Sequence, residues 1–189
     1  MKRLLLYILL TLIVVFLTGC VTGCVNNNVG TYISVLPTFV LPDDNEFMCL
    51  VEELQTPEQI CKYMEDNFEY DEDNASNLSP FELFEAKAGN CDDFSSFVMF
   101  ILIFHGYDEV YQILMEFPPL DIDWFPRYHM IAVFKEGGYL NFSDNTRYIQ
   151  GFCKDFKEIM NFSLYHGWIS YVVYDANMDI IEKGNSEDN

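Results

Sequence analysis

The apolar residues of this chain follow three different rhythms. Residues 4–17 are an apolar run without a charge. Further on, Ile60, Met64 and Phe68 recur at helical spacing behind Thr56-Pro57-Glu58-Gln59, where Thr is a natural N-cap, Pro suits the first helical position and Gln lies three residues on. Ser79-Pro80-Phe81-Glu82 repeats that start signal, and Gly89 is the expected stop. Phe94, Phe97, Val98, Ile101 and Leu102 then mark a wide apolar face, so a central, buried helix is expected from about Cys91 to His105, closed by Gly106. After Gly106 the rhythm changes again. Residues 110–117 are rich in branched and aromatic side chains, and 128–134 alternate, with Tyr128, Met130, Ala132 and Phe134 on one side and His129, Ile131 and Val133 on the other. Lys135-Glu136-Gly137-Gly138 predicts a hairpin turn returning through 139–143. A short helix is expected at 156–162 and a final strand at 168–174. Helices first and strands second predict an α+β domain with its N-terminal helices packed on an antiparallel sheet.

The first apolar run follows Met1-Lys2-Arg3 and ends in Leu17-Thr18-Gly19-Cys20. A basic start, an apolar stretch and a small-residue close read as an export signal. Leu-Thr-Gly-Cys resembles the lipobox of prokaryotic lipoproteins, which implies lipidation at Cys20, or at Cys24 through the similar Val21-Thr22-Gly23-Cys24. The alternative is an uncleaved membrane anchor, since about 20 uncharged residues approach the length that spans a bilayer. Plain secretion is the third reading, and all three put the rest of the chain outside the cytoplasm, with membrane attachment through lipid or anchor favoured. The organisation expected is signal or anchor at 1–24, tether at 25–41, one domain at 42–181 and a polar tail at 182–189.

Composition narrows the function classes. The formal net charge of −20 repels nucleic acid and anionic headgroups, so neither is an expected partner. It suits a basic peptide or protein substrate, although an acidic surface also serves solubility alone. No Cys-x-x-Cys pair is present, which argues against a zinc ribbon or a thioredoxin site. Asp71, Asp73, Asn77, Ser79 and Glu82 echo the spacing of a calcium loop, but Ala75 and Ser76 break it, so no metal and no cofactor is assigned. An oxidising compartment permits a disulfide among Cys49, Cys61 and Cys153, most simply Cys49–Cys61.

Cys91 carries the candidate chemistry. It stands at the start of the buried helix, where free backbone N–H groups and the positive end of the dipole favour a thiolate. A thiolate nucleophile needs a base, and the base needs an acceptor on its other nitrogen. His129 and Asp144 supply these roles on the two arms of the Gly137-Gly138 hairpin, with Asn145 as the neighbouring rival for the acceptor. The Cys91 N–H is the default oxyanion donor, with Tyr70 or Asn90 as the second. Asp92 and Asp93 oppose a thiolate by repulsion but suit the first turn of a helix. Trp124, in the loop before His129, is a candidate lip of a substrate cleft.

Gly89-Asn90-Cys91-Asp92-Asp93-Phe94, His105-Gly106-Tyr107, Tyr128-His129-Met130 and Asp144-Asn145-Thr146 together resemble the transglutaminase-like superfamily. The resemblance runs from about Thr56 to Tyr148. It implies a papain-like core and a Cys91-His129-Asp144 triad that cleaves or exchanges amide bonds through a thioester; hydrolysis is favoured because water is always present and no amine-binding groove can be read. Met130 departs from the aromatic residue that many members place after the His. Phe68-Glu69-Tyr70 resembles the segment ahead of the nucleophile in bacterial members, which implies that Tyr70 lines the site. The rival readings are a non-catalytic binding module of the same fold and an acidic structural lipoprotein.

Overall fold

The computed structural model describes residues 42–72, 77–119 and 127–188. The expected export segment, both lipidation candidates, the tether and Trp124 lie outside the described residues. No helix among the described residues is long and apolar enough to cross a membrane.

Among the described residues four helices precede the sheet. They are α1 (Asn45–Glu53), α2 (Pro57–Asn67), α3 (Pro80–Ala86) and α4 (Cys91–Phe104). The capping boxes expected at Thr56/Gln59 and Ser79/Glu82 both form, each with Pro at the first turn. Helix α1 is an addition to the sequence reading. It is one short helix capped by Asp44, and Phe47 fastens it by touching the rings of Phe81, Phe84, Phe97 and Phe100. Helix α3 stops at Lys87, in the left-handed conformation, rather than at Gly89. From Phe94 to Phe104 nearly every residue of α4 is buried, as a helix covered on all sides requires.

The sheet has six strands in the order β6-β5-β4-β3-β7-β8, every neighbouring pair antiparallel. The strands are β3 (Val110–Phe117), β4 (Arg127–Glu136), β5 (Tyr139–Asp144), β6 (Arg147–Cys153), β7 (Ser170–Tyr174) and β8 (Ile180–Asn185). A separate parallel pair, β1 (Glu69–Tyr70) and β2 (Ala88–Gly89), lies among the helices. The β4–β5 turn is tighter than the sequence implied. Lys135 and Glu136 still pair with Leu140 and Tyr139, and only Gly137 and Gly138, at φ of 60° and 89°, make the turn. Strand 170–174 is not the last: β8 follows, so the polar stretch from Glu182 is the second half of an edge strand.

The alternation along β4 divides the interior in two. Ala132 and Phe134 join α1–α4 in one core, with Val110 of β3. Ile131 and Val133 join Ile113, Met115 and Phe142 in a second core on the opposite face, closed by Ile159 of α5 (Phe156–Met160), Tyr165 and Trp168. Each large side chain so buried contributes about 1.5–3 kcal/mol. The expected Cys49–Cys61 bridge does not form: Cys61 and Cys153 are free, buried thiols, whereas Cys49 is disulfide-bonded elsewhere. Both free thiols sit among apolar neighbours, Cys61 in the first core and Cys153 in the second.

Candidate active site

Three local devices fix the start of α4. Asn90 is its N-cap, and Asn90 Oδ1 accepts the N–H groups of Asp92 and Asp93 at 3.1 and 3.3 Å. Asp93 reaches back, its Oδ2 accepting the Asn90 N–H at 2.9 Å and its Oδ1 the Leu78 N–H at 2.7 Å. Asp93 is only 1% exposed. Burial raises its carboxyl above the ordinary range, and the two N–H bonds oppose that rise. Its carboxylate is thus committed to the helix start, the role that acids in a first turn usually serve. Asn90, expected as an oxyanion candidate, spends its side-chain oxygen as the cap and leaves the Cys91 N–H outside those bonds.

The third device is Gly89. A Cβ built there would lie 2.7 Å from Leu83 Cδ1 and 2.8 Å from Asp93 Oδ2. The Gly-x-Cys pattern therefore has a steric cause: the returning Asp93 carboxylate occupies the space a side chain would need. Gly89→Ala is expected to cost about 2 kcal/mol by overpacking. It should also disturb the capping box, read as a lower urea midpoint and a changed alkylation rate at Cys91.

Strand β2 pairs in parallel with β1, setting Tyr70 opposite Gly89. The Tyr70 ring packs edge-on against Phe94 at 6.1 Å and stays 50% exposed. Burial and then the nearby Cys91 raise its phenol, so it remains a neutral donor beside the thiol. A cavity of about 410 Å³ opens between Phe68, Tyr70 and Phe94 on one side and the turn from Asp144 to Arg147 on the other.

His129 and Asp144 meet across the sheet. The β4–β5 register sets Ala132 opposite Ser143. Continued by one residue, it places Asp144 opposite Ile131, a diagonal step from His129 on the same face. His129 Nε2 and Asp144 Oδ1 are 2.8 Å apart, with both side chains mostly buried. Asp144, not Asn145, is therefore the acceptor. Asn145 takes the left-handed turn position at φ 50°. Cys91 neighbours the His129 ring, and Nδ1 is the ring nitrogen that Asp144 leaves over. Burial would lower the pKa of His129, but its bonds to Asp144 and Cys91, and their charges, outweigh burial and push it up to about 9. An imidazolium at neutral pH donates from both nitrogens, one to the carboxylate and one to sulfur.

The structure thus brings together Cys91, His129, Asp144 and Tyr70. His105 stands apart as the C-cap of α4, its Nε2 2.7 Å from the Val51 carbonyl, where it ties α1 to the central helix. Among the described residues no group of three His, Cys, Asp or Glu side chains gathers to hold a metal ion. Sequence reasoning passed over Tyr165, which lies in the segment Ser163–Tyr165 with its ring 6.4 Å from that of His129. No local pattern points to it, because its relation to the site is made only by the fold.

Residues 46–165 match the family described as Transglutaminase-like domain. The chain belongs to that family. Among solved structures it is similar to calcium-bound LapG of Legionella pneumophila, at 16% identity over 75% of this chain and 74% of the other, with a TM-score of 0.43. A candidate cysteine protease from Cytophaga hutchinsonii is similar at 14% identity over 74% of this chain and 49% of the other, with a TM-score of 0.41. No curated protein matches the sequence.

Proposed function

We propose that this domain is a thiol enzyme that cleaves amide bonds of peptides or proteins, anchored to the outer side of a membrane by its N-terminal segment. The observation that carries the reading is His129 held to the Asp144 carboxylate at 2.8 Å, with Cys91 beside it at a helix start. Cys91 Sγ attacks the substrate carbonyl carbon, and the carbonyl π pair moves onto oxygen, for which the Cys91 N–H is the default donor. As that oxyanion collapses, the C–N bond breaks, and the amine leaves with the proton held on His129 Nδ1. Water then gives a proton to His129, its oxygen attacks the thioester carbon, and the C–S bond breaks to return the thiolate. Hydrolysis is the favoured outcome because water is always at hand; an amine in its place would give acyl exchange. Tyr70 and the cavity beside it form one wall of the substrate path. The acidic surface favours a basic peptide there.

The reading is tested by alkylation with iodoacetamide. Cys61 is pushed up to about 12 by burial and then by Glu58, and burial raises Cys153 too, so both should stay inert at neutral pH. Cys91, half-buried at the helix start beside His129, is expected to react faster than either at pH 7. In His129→Ala the rate should fall at least about ten-fold at pH 7 and climb with pH like an ordinary thiol. Equal rates in the two proteins would reject the ion pair and with it the enzyme.

A further inference from the structure

Strand β1 has β2 on one side and, among the described residues, no strand on the other. The parallel register sets Glu69 opposite Ala88 and Tyr70 opposite Gly89. The Glu69 N–H reaches the Lys87 carbonyl at 2.8 Å, and the Asp71 N–H reaches that of Gly89 at 2.9 Å. Along a strand the main-chain groups of successive residues point to opposite edges. Glu69 and Asp71 therefore direct theirs at β2, and Tyr70 turns its N–H and C=O to the outer edge. Among the described residues neither of these two groups is bonded.

Open strand edges are normally blunted by Lys, Pro or a bulge. The run Glu69-Tyr70-Asp71-Glu72 has none of these: all four residues are exposed, three acids around one aromatic. Tyr70 also lines the 410 Å³ cavity, where Glu65 adds a further acid beside it and Arg147 stands on the opposite wall. Gly89, the partner of Tyr70, is two residues ahead of Cys91. Strands advance about 3.3 Å per residue and lie about 4.8 Å apart, so a chain laid along the outer edge of β1 comes within a few residues of the thiol. Its side chains would alternate between two faces. The residue opposite Tyr70 would share the face of that ring and of Phe94, 6.1 Å away, and its two neighbours would meet the acids at 69 and 71.

We propose that the outer edge of β1 binds the substrate main chain: an extended peptide pairs with Tyr70, exchanges hydrogen bonds with its N–H and C=O, and presents a basic-apolar-basic triplet to Glu69, Tyr70 and Asp71. The pairing is antiparallel, because a single substrate residue then meets both groups of Tyr70. The substrate class is thus an extended basic peptide rather than a small amide. The binding edge stands on the strand register; its place in catalysis rests on the thiol-enzyme reading above.

Tethered peptides test it without a known substrate. A chloromethyl ketone built on Lys-Leu-Lys-Ala and a bromoacetyl peptide of Lys-Leu-Lys each alkylate Cys91, and they hold peptide on the acyl side and the amine side of the sulfur in turn. With one of them the Tyr70 amide hydrogen should exchange with water about ten-fold more slowly than in protein treated with iodoacetamide, the scale of one net hydrogen bond. Tyr70→Pro removes the N–H at an edge position that accepts proline, whereas Tyr70→Ala removes only the ring. Each variant's rate with the faster peptide reagent is divided by its rate with iodoacetamide, which cancels changes at the sulfur. That ratio is expected to be about ten-fold lower in Tyr70→Pro than in Tyr70→Ala. Equal ratios, or Tyr70 exchange unaltered by both tethered peptides, overturn the proposal, as does a Glu-Leu-Glu-Ala reagent that reacts as fast as the lysine one. If a tethered peptide protects Tyr70 while the parent protein cleaves no amide, the binding edge stands and the failure belongs to the enzyme reading.

Discussion

Cys91→Ala is expected to lower kcat/KM on an amide substrate by about four orders of magnitude or more, the scale seen when a triad loses its nucleophile. The fold should hardly notice. Cys91 is the first residue of α4, belongs to neither core, and is only half-buried. Unfolding in urea should therefore stay within about 0.5 kcal/mol of the parent protein. A second removal should add little: Cys91→Ala with His129→Ala is expected to be as inactive as Cys91→Ala alone, because the groups act as one unit. The pH profile follows from the base. His129 sits above its ordinary value, so the proton it must hand to the departing amine is present through neutral pH and is lost as pH climbs through about 9. Turnover by Cys91→Ala at parental rates would remove the thiol from the mechanism altogether.

Asp93→Ala is expected to have the largest effect on stability, about 3 kcal/mol. The variant strands two partly buried backbone donors, the N–H groups of Leu78 and Asn90, that the carboxylate now accepts at 2.7 and 2.9 Å. Each stranded donor costs about 1–3 kcal/mol. Asp93→Asn should recover only part of the loss, since its amide offers one acceptor oxygen and brings an NH₂ toward a second N–H. Chemical denaturation read by circular dichroism measures both. Stability unchanged in Asp93→Ala would mean that water replaces the carboxylate without cost and that the start of α4 is held by Asn90 alone.

The legible parts of this protein are those whose signals are local. Thr56-Pro57 with Gln59, and Ser79-Pro80 with Glu82, carry their capping boxes within four residues, and both form as read. The buried face of α4 and the alternation of β4 are likewise properties of short windows, and Gly137-Gly138 sets the register that brings Asp144 to His129. The illegible parts depend on partners far away. Helix α1 has one short turn pattern between acidic residues and exists because Phe47 finds four rings from other helices. Strand β6 is interrupted in its pattern by Gly151 and by Phe152 at φ 50°, and it pairs with β5 across an irregular register. Strand β8 reads as a polar tail because it is an edge, with Glu182 and Lys183 facing solvent as edge strands require. The place of Tyr165 beside His129 is of the same kind, produced by a chain reversal after β6 that no short window encodes.

The small parallel pair of β1 and β2 has a consequence for how such a chain can diversify. The Glu69 N–H bonds the Lys87 carbonyl at 2.8 Å and the Asp71 N–H bonds that of Gly89 at 2.9 Å, while Leu78 is pinned separately by Asp93 at 2.7 Å. The stretch between Asp71 and Leu78 is thus closed off at both ends before it reaches the nucleophile. Extra residues spliced there would add only the slow logarithmic penalty of a longer excursion, about 0.6 kcal/mol per doubling. Tyr70 and Cys91 would keep their spacing, so an insert could alter what approaches the cavity while the reacting groups stay where they are.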